Sequence, residues 1–309
     1  MKFDGWDMAI GAEGPLLQAT IKQQPSNFEI FLWKGYSMIL IGERINGMFK
    51  DVKEAIGAKD KKVIQNLALR QTAAGASYLD VNVGTAAADQ ESAMQWLIET
   101  IQEVCPTPLS LDSQKPAVIA AGLKVINAAH GLILNSTPLN KKSDEEVFRK
   151  YVTMAQAAGP KANIIALTMD KNGVPQDINT RVEIAAQLLS EATALDFDVQ
   201  RLFIDPIILP VKVPNAQVQP GNILAAMDQI SFLSDPAPHM TIGLSNLSQG
   251  AAERNLINRI FLTMAIAHGL DSAIVDVNDQ ELMNGVATAE MLMNKQIYSD
   301  GFLRIYAGA

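Results

Sequence analysis

Two hydrophobic patterns alternate along this chain. Short runs such as Ile-Ile-Ala-Leu (164–167) and Leu-Phe-Ile (202–204) are apolar throughout and close on a polar residue. Longer stretches follow each run, with apolar residues recurring every three or four positions. Uninterrupted apolar runs predict strands buried on both faces; the 3.6-residue period predicts amphipathic helices. Strands are expected over 37–45, 78–83, 108–112, 131–135, 163–169, 201–204, 239–244 and 273–277. Helices are expected over 52–76, 91–104, 116–129, 178–195, 222–233, 256–268 and 280–296, with another that opens near Ser143 and runs to Gly159. Local signals support several boundaries. Gly75 suits a helix stop, Pro116 a first helical turn, and Ser143 with Glu146 a capping box.

Eight strand–helix units in about 270 residues match a closed (β/α)8 barrel, the TIM barrel architecture. A doubly wound sheet is the alternative, but it usually carries a glycine-rich first turn. Here the first strand ends Gly-Glu-Arg-Ile-Asn-Gly (42–47), without that spacing. Residues 1–37 depart from the pattern, with Trp6, Pro15, Pro25 and Trp33 and no long helical period. The expected organisation is an N-terminal extension over 1–37 and a single α/β barrel domain over 38–309.

Barrel enzymes place their chemistry at the carboxyl ends of the strands. The polar residues found there are Glu43 and Asn46, Asp80 and Asn82, Asp112, Asn135, Thr168 and Asp170, Asp205, Asn246, and Asp276 and Asn278. Such a ring of carboxylates and amides suits a neutral, nitrogen-rich heterocycle, since a carboxylate accepts from ring N–H and NH2 groups and an Asn both donates and accepts. The same residues have a plainer reading: Asp80, Asp170 and Asp276 as caps, Asn82 and Asn278 as turn formers. No Lys stands directly at a strand end, which argues against a Schiff base. Clustered Asp residues also suit a divalent cation, but no protein-bound metal is expected.

Composition narrows the classes. The chain has 309 residues, 48% hydrophobic and 19% charged, with a net charge of −8. That balance fits a globular core and argues against nucleic-acid binding, which favours a basic excess. Cys105 is the single cysteine, so no internal disulfide exists, and the three histidines (His130, His239, His268) lie far apart. His130 and His268 are expected near helix ends. No apolar run is long enough to span a membrane, and the N-terminus lacks an apolar leader core, so the expected location is the cytoplasm.

Several segments carry a family resemblance: Met-Ile-Leu-Ile-Gly-Glu-Arg-Ile-Asn (38–46), Tyr-Leu-Asp-Val-Asn-Val-Gly (78–84), Leu-Ser-Leu-Asp-Ser (109–113), Leu-Asn-Ser-Thr (134–137), Ile-Asp-Pro-Ile-Ile-Leu-Pro (204–210), Gly-Leu-Ser-Asn-Leu-Ser-Gln (243–249) and Arg-Asn-Leu-Ile-Asn-Arg (254–259). In order, one per strand end over about 38–300, they resemble the pterin-binding methyltransferases that exchange a methyl group between tetrahydrofolate and a corrinoid protein. That group includes methyltetrahydrofolate:corrinoid/iron–sulfur protein methyltransferase and the second methyltransferase of bacterial O-demethylases, enzymes of anaerobic one-carbon metabolism.

The resemblance implies roles. Asp112, Asn135 and Asp205 would hold the pterin ring, and Glu43 would stand on the rim. Asn246 would approach N5, the methyl-bearing atom. Arg254 would bind near the folate tail and Gln249 would face the corrinoid. Asn246 would stabilise charge at N5, with Asp112 the nearest ionisable partner for the proton. Tetrahydrofolate or 5-methyltetrahydrofolate is then the substrate. The cobalamin is carried by a partner corrinoid protein, because the chain lacks the Asp-x-His-x-x-Gly run of such carriers. Relatives of this kind are homodimers.

The expected direction is methylcorrinoid to tetrahydrofolate, on local features such as Asn-Ser-Thr-Pro-Leu-Asn (135–140); the reverse is the alternative. Dihydropteroate synthase is a more distant one. Its Asn-x-Thr-x-Asp-Ser-Phe loop is missing after the first strand, where Asn46 is followed by Gly-Met-Phe. A non-catalytic folate-binding scaffold is the remaining alternative. Partner identity is expected to lie in rim loops 212–219 and 248–253.

Overall fold

The computed structural model describes residues 38–214 and 216–295. The expected extension over 1–37 and the end of the last expected helix, at Gln296, lie outside them.

Eight strands alternate with helices. β1 (Ile39–Asn46) is followed by α1 (Lys50–Ala58) and α2 (Lys61–Ala73), then β2 (Tyr78–Asn82) and α3 (Gln90–Gln102), β3 (Leu109–Asp112) and α4 (Pro116–Leu123), and β4 (Leu132–Pro138) and α5 (Val147–Ala158). The second half comprises β5 (Ala162–Leu167) and α6 (Ile178–Ala194), β6 (Leu202–Asp205) and α7 (Gln219–Ile230), β7 (His239–Met240) and α8 (Arg254–Ala267), and β8 (Ser272–Val275) and α9 (Gln280–Leu292). All ladders are parallel, in the order β7-β6-β5-β4-β3-β2-β1-β8. A parallel bridge between Gly243 and Ile274 joins β7's continuation to β8 and closes the barrel.

The period-2 alternation of each strand sorts its side chains. Outward residues such as Leu40, Leu79, Leu111, Leu134, Ile164 and Ile204 are fully buried in the layer shared with the helices. Inward residues Ile41, Ile133, Ile165 and Phe203 form a separate apolar plug inside the barrel. Polar inward residues sit above that plug, at the carboxyl ends. Two irregularities re-aim the chain there. The register shifts between Gly42 and Ile45 of β1 and between Asn135 and Thr137 of β4.

Some boundaries differ from those expected. The long first helix is two. Lys59 ends α1 in the left-handed region (φ 55°), and the Asp60 side chain accepts from the Lys62 N–H to start α2. The apolar period continues through this break, which hides it in the sequence. α4 stops at Leu123, and Ala128–His130 forms a separate 3-10 turn. The capping box at Ser143 does not form. Glu146 is itself the residue preceding α5, and its N–H donates to the Asp144 side chain at 3.2 Å. β7 is two residues long, because the chain enters a 3-10 turn at Leu244–Asn246.

Candidate active site

The β2–β4 side of the barrel mouth is a buried polar cluster. Asp80, Asn82, Asp112 and Asn135 are brought together by register: Asp80 pairs with Ser110, Asn82 with Asp112, and Asp112 with Asn135. Asn82 donates its side-chain N–H to Asp112 Oδ2 at 2.5 Å, and its own oxygen accepts the Gly84 N–H. Below them Asp80, 3% exposed, accepts from Ser110 Oγ at 2.7 Å and Asn135 Nδ2 at 2.9 Å, both at Oδ1. Burial and the neighbouring Asp112 push the Asp80 carboxyl well above the usual carboxylate range. Burial lifts Asp112 to about 6, opposed by the hydrogen bond from Asn82. Tyr151 of α5, fully buried, donates to the Ser113 carbonyl at 3.1 Å and so braces the turn after β3.

A second group spans β1 and the turn after β7. The Ser245 hydroxyl donates to Glu43 Oε1 at 2.7 Å. Burial raises the Glu43 pKa, partly offset by that hydrogen bond. Arg254, at the start of α8, donates to Ser248 Oγ at 3.2 Å and to the Ser245 carbonyl at 3.3 Å. Asn246 sits in this turn, exposed, its amide nitrogen 3.0 Å from where a Cβ on Gly243 would lie. The Asn246 side chain makes no hydrogen bond to another described residue. Gln249 is also exposed, and its backbone N–H donates to the Asn246 carbonyl at 3.2 Å.

Asp205 closes β6. It is 9% exposed, and its Oδ1 accepts the Ile207 N–H at 2.7 Å. Burial pushes it up to about 7, against that hydrogen bond and the nearby Arg181. Ile207 adopts φ 55°, an uncommon conformation for a β-branched residue. Fully buried Arg181 of α6 holds the turn. It donates to the carbonyls of Pro206 and Pro175, each at 2.8 Å, and to Gln219 Oε1 of α7 at 3.0 Å.

A model described as the pterin binding enzyme matches residues 49–276. The chain belongs to the pterin-binding enzyme family. It is 32% identical over 269 residues to methylcorrinoid:tetrahydrofolate methyltransferase from Eubacterium limosum, covering 86% of this chain and 96% of that one. It is 30% identical over 246 residues to methionine synthase of Mycobacterium leprae, covering 77% of this chain but only 20% of that longer protein. Among solved structures, Yersinia pestis DHPS with a pterine–sulfa conjugate superposes with TM-score 0.58 at 15% identity, over 84% of this chain and 95% of that one. At that identity the last likeness concerns the fold alone.

Within this pterin-binding barrel, the residues expected from the sequence fall into three groups. Asp112 and Asn135 are register partners on β3 and β4, and Asn135 bonds Asp80. Glu43, Asn246, Gln249 and Arg254 share the β1–β7–α8 side. Asp205 stands apart with Arg181. No hydrogen bond joins Asn246 to Asp112 among the described residues. Asp170 follows the plainer reading and serves a turn, accepting from the Asn172 N–H at 2.7 Å. Asp276 does the same for Asn278 at 3.0 Å.

Asp80 and Asn82 do more than cap a loop. The sequence held the signal: Asp-Val-Asn alternation places both side chains on one face of β2. Arg181, Ser245 and Tyr151 carried none, since each reaches the site from a helix or turn. His130 ends the 3-10 turn and His268 follows α8, where it pairs with Asp228 at 2.9 Å. Among the described residues no His, Cys, Asp or Glu cluster is arranged to hold a metal ion, and no helix is long and apolar enough to cross a membrane.

Proposed function

We propose that this protein is a methyltransferase that moves a methyl group from the cobalt of a corrinoid protein to N5 of tetrahydrofolate. The observation that carries the reading is the barrel mouth itself. Buried carboxyls and amides at successive strand ends face the opening, with Asp112 and Asp205 on different walls. Such a site suits the edge of a pterin, which presents adjacent N–H and NH2 donors beside acceptor nitrogens and a carbonyl. The E. limosum relative's name supports the substrates and the direction. The reverse transfer uses the same residues, so the supply of partner and folate sets the net direction.

In this reading Asp205, Asp112 and Asn135 hold the ring, Glu43 and Arg254 frame the turn that carries Asn246, and Gln249 faces the corrinoid. N5 attacks the methyl carbon, the carbon–cobalt electron pair stays with cobalt as Co(I), and the N5 proton leaves. Asn246 hydrogen-bonds at N5 and counts most when positive charge gathers there. Asp112, ionised above about pH 6, is the proton partner. Most of the rate then comes from holding N5 in line with the methyl–cobalt bond. The corrinoid enters on a partner protein.

The test is anaerobic. The protein is mixed with tetrahydrofolate and methylcob(III)alamin, and separately with methyltetrahydrofolate and cob(I)alamin, while cobalt absorption is followed. Exchange in either mixture that Asn246→Ala abolishes supports the reading. Absence of exchange with both free cobalamins and with candidate corrinoid proteins, while folate still binds, favours a folate-binding scaffold.

A further inference from the structure

One buried cation near the mouth has no part in that scheme. Arg181 stands in the first turn of α6 and is fully buried. Neither place suits a positive charge. Leaving water costs it free energy, and a cation at a helix N-terminus opposes the helix dipole. Its hydrogen-bond partners are all neutral groups. Nε donates to the Pro206 carbonyl and Nη2 to the Pro175 carbonyl, each at 2.8 Å, and Nη2 also reaches Gln219 Oε1 at 3.0 Å. Gln219, 1% exposed, donates in turn to the Gln176 carbonyl at 2.9 Å. One guanidinium therefore joins the loop between β5 and α6, the turn after β6 and the start of α7.

Those bonds converge on the Asp205 turn. Pro206 directly follows Asp205, whose side chain shares a strand face with Phe203 of the inner plug and so points into the barrel. The Ile207 N–H fixes the rotation of that carboxyl through its 2.7 Å bond to Oδ1. Ile207 makes the bond from the left-handed region, at φ 55°, where a β-branched residue stays only if its surroundings impose it. The guanidinium grips the carbonyl one residue earlier. We propose that Arg181 is a positioning residue of the pterin site, whose planar fork locks two rim loops and α7 into one wall and holds the Asp205 carboxyl facing the mouth. A lysine ammonium carries the same charge but lacks the rigid fork that spans these carbonyls, and methionine fills similar volume without any donor. The purpose of the clamp rests on the folate-site reading, but the holding of the turn does not.

Arg201 supplies a matched control. Its guanidinium also binds backbone carbonyls, Ala162 and Gly159, each at 2.8 Å, but at the amino end of β5, away from the mouth. Wild type, Arg181→Lys, Arg181→Met and Arg201→Met are compared by anaerobic calorimetry with tetrahydrofolate and by methyl exchange with free methylcob(III)alamin at saturating folate. Arg181→Met is expected to weaken tetrahydrofolate binding about twentyfold or more and Arg181→Lys about fivefold, the scale of one or two lost hydrogen bonds. Exchange at saturating folate should stay within about threefold in both, because the wall binds the ring and Asn246 serves N5. Arg201→Met should bind within about twofold of wild type despite its own loss of stability in urea. Equal losses of affinity in Arg181→Met and Arg201→Met would reduce Arg181 to a fold stabiliser and overturn the proposal, as would a loss of rate with affinity kept. Hydrogen exchange of the ligand-free proteins, read by mass spectrometry over residues 203–208, tests the clamp without folate. Protection there should fall about tenfold or more in Arg181→Met and not in Arg201→Met, and unchanged protection refutes the clamp. If Arg181→Met does not fold, Arg181→Lys decides on the same readouts, and wild-type values in it refute the proposal. A wild-type protein that binds no folate would instead reject the site reading, while the exchange data still decide whether Arg181 holds the turn.

Discussion

Two residues of the candidate site are separable by what their loss does. Asn246 has an exposed amide with no hydrogen bond to another described residue, so removing it disturbs little else. Asn246→Ala is therefore expected to keep folate binding within about tenfold and to slow transfer by roughly 10²–10³, the scale of one donor to the transition state. Equal losses in calorimetric affinity and stopped-flow rate would contradict a role at N5. Asp205 behaves differently, because its carboxyl sits near 7. Only the ionised form accepts two ring donors, so affinity for tetrahydrofolate should fall as pH drops through 7, by about tenfold per unit below it for one linked proton. Asp205→Asn should bind more weakly at pH 8 and lose that part of the pH dependence. An unchanged profile in calorimetry from pH 6 to 8 would refute the placement.

The elements explain why the rim was only partly legible in the sequence. Strand ends announce themselves: an apolar run closing on Asp or Asn placed Asp112, Asn135 and Asp205 at the mouth. Strand alternation also contained Asp80 and Asn82, though their bonding to each neighbour depends on cross-strand register, which a single chain does not display. Arg181 was hidden because a helical Arg usually marks the solvent face. Here it turns inward and joins α6, the Pro206 turn and α7. The β1–β2 loops meet with no space to spare. A Cβ on Gly47 would lie 2.0 Å from the Val83 carbonyl oxygen. Gly47→Ala should therefore cost about 1–3 kcal/mol, as overpacking does, and weaken folate binding through displacement of Asn82. Gly57, in α1 with nothing within 4 Å of its added Cβ, is the matched control. Gly57→Ala should raise stability by about 0.5–1 kcal/mol. Urea denaturation compares both; a neutral Gly47→Ala would mean that these loops yield.

At the scale of the whole barrel, binding chemistry is maintained against stability. Asp112 and Asp205, with folded values of about 6 and 7, are both raised by burial above the ~3.9 of an unfolded aspartate. Between those values the folded state holds more protons than the unfolded one, so its stability falls as pH rises. His239 acts in the same direction. Its ring bonds Asp271 at 2.6 Å, which raises its pKa, so that contribution is present below about 6.5 and lost as pH climbs through the folded value. The carboxylates with lowered values, Asp51, Asp89, Asp144 and Asp177, act in the opposite sense, but their stabilisation is lost only as pH falls below about 4. The ligand-free protein should therefore be most stable near pH 5 and lose stability steadily to pH 8. One pKa unit is worth ~1.4 kcal/mol, so Asp205 alone accounts for a few kcal/mol of that loss. Asp205→Asn removes the charge and should flatten the curve, leaving the variant more stable than wild type at pH 8 even as it binds folate less well. Thermal melts of both proteins from pH 5 to 8 check this. A wild-type Tm that rises over that range would show that these carboxyls are not held above their ordinary values. The expected trade, stability surrendered for an ionised pocket at neutral pH, would then have no basis in this barrel.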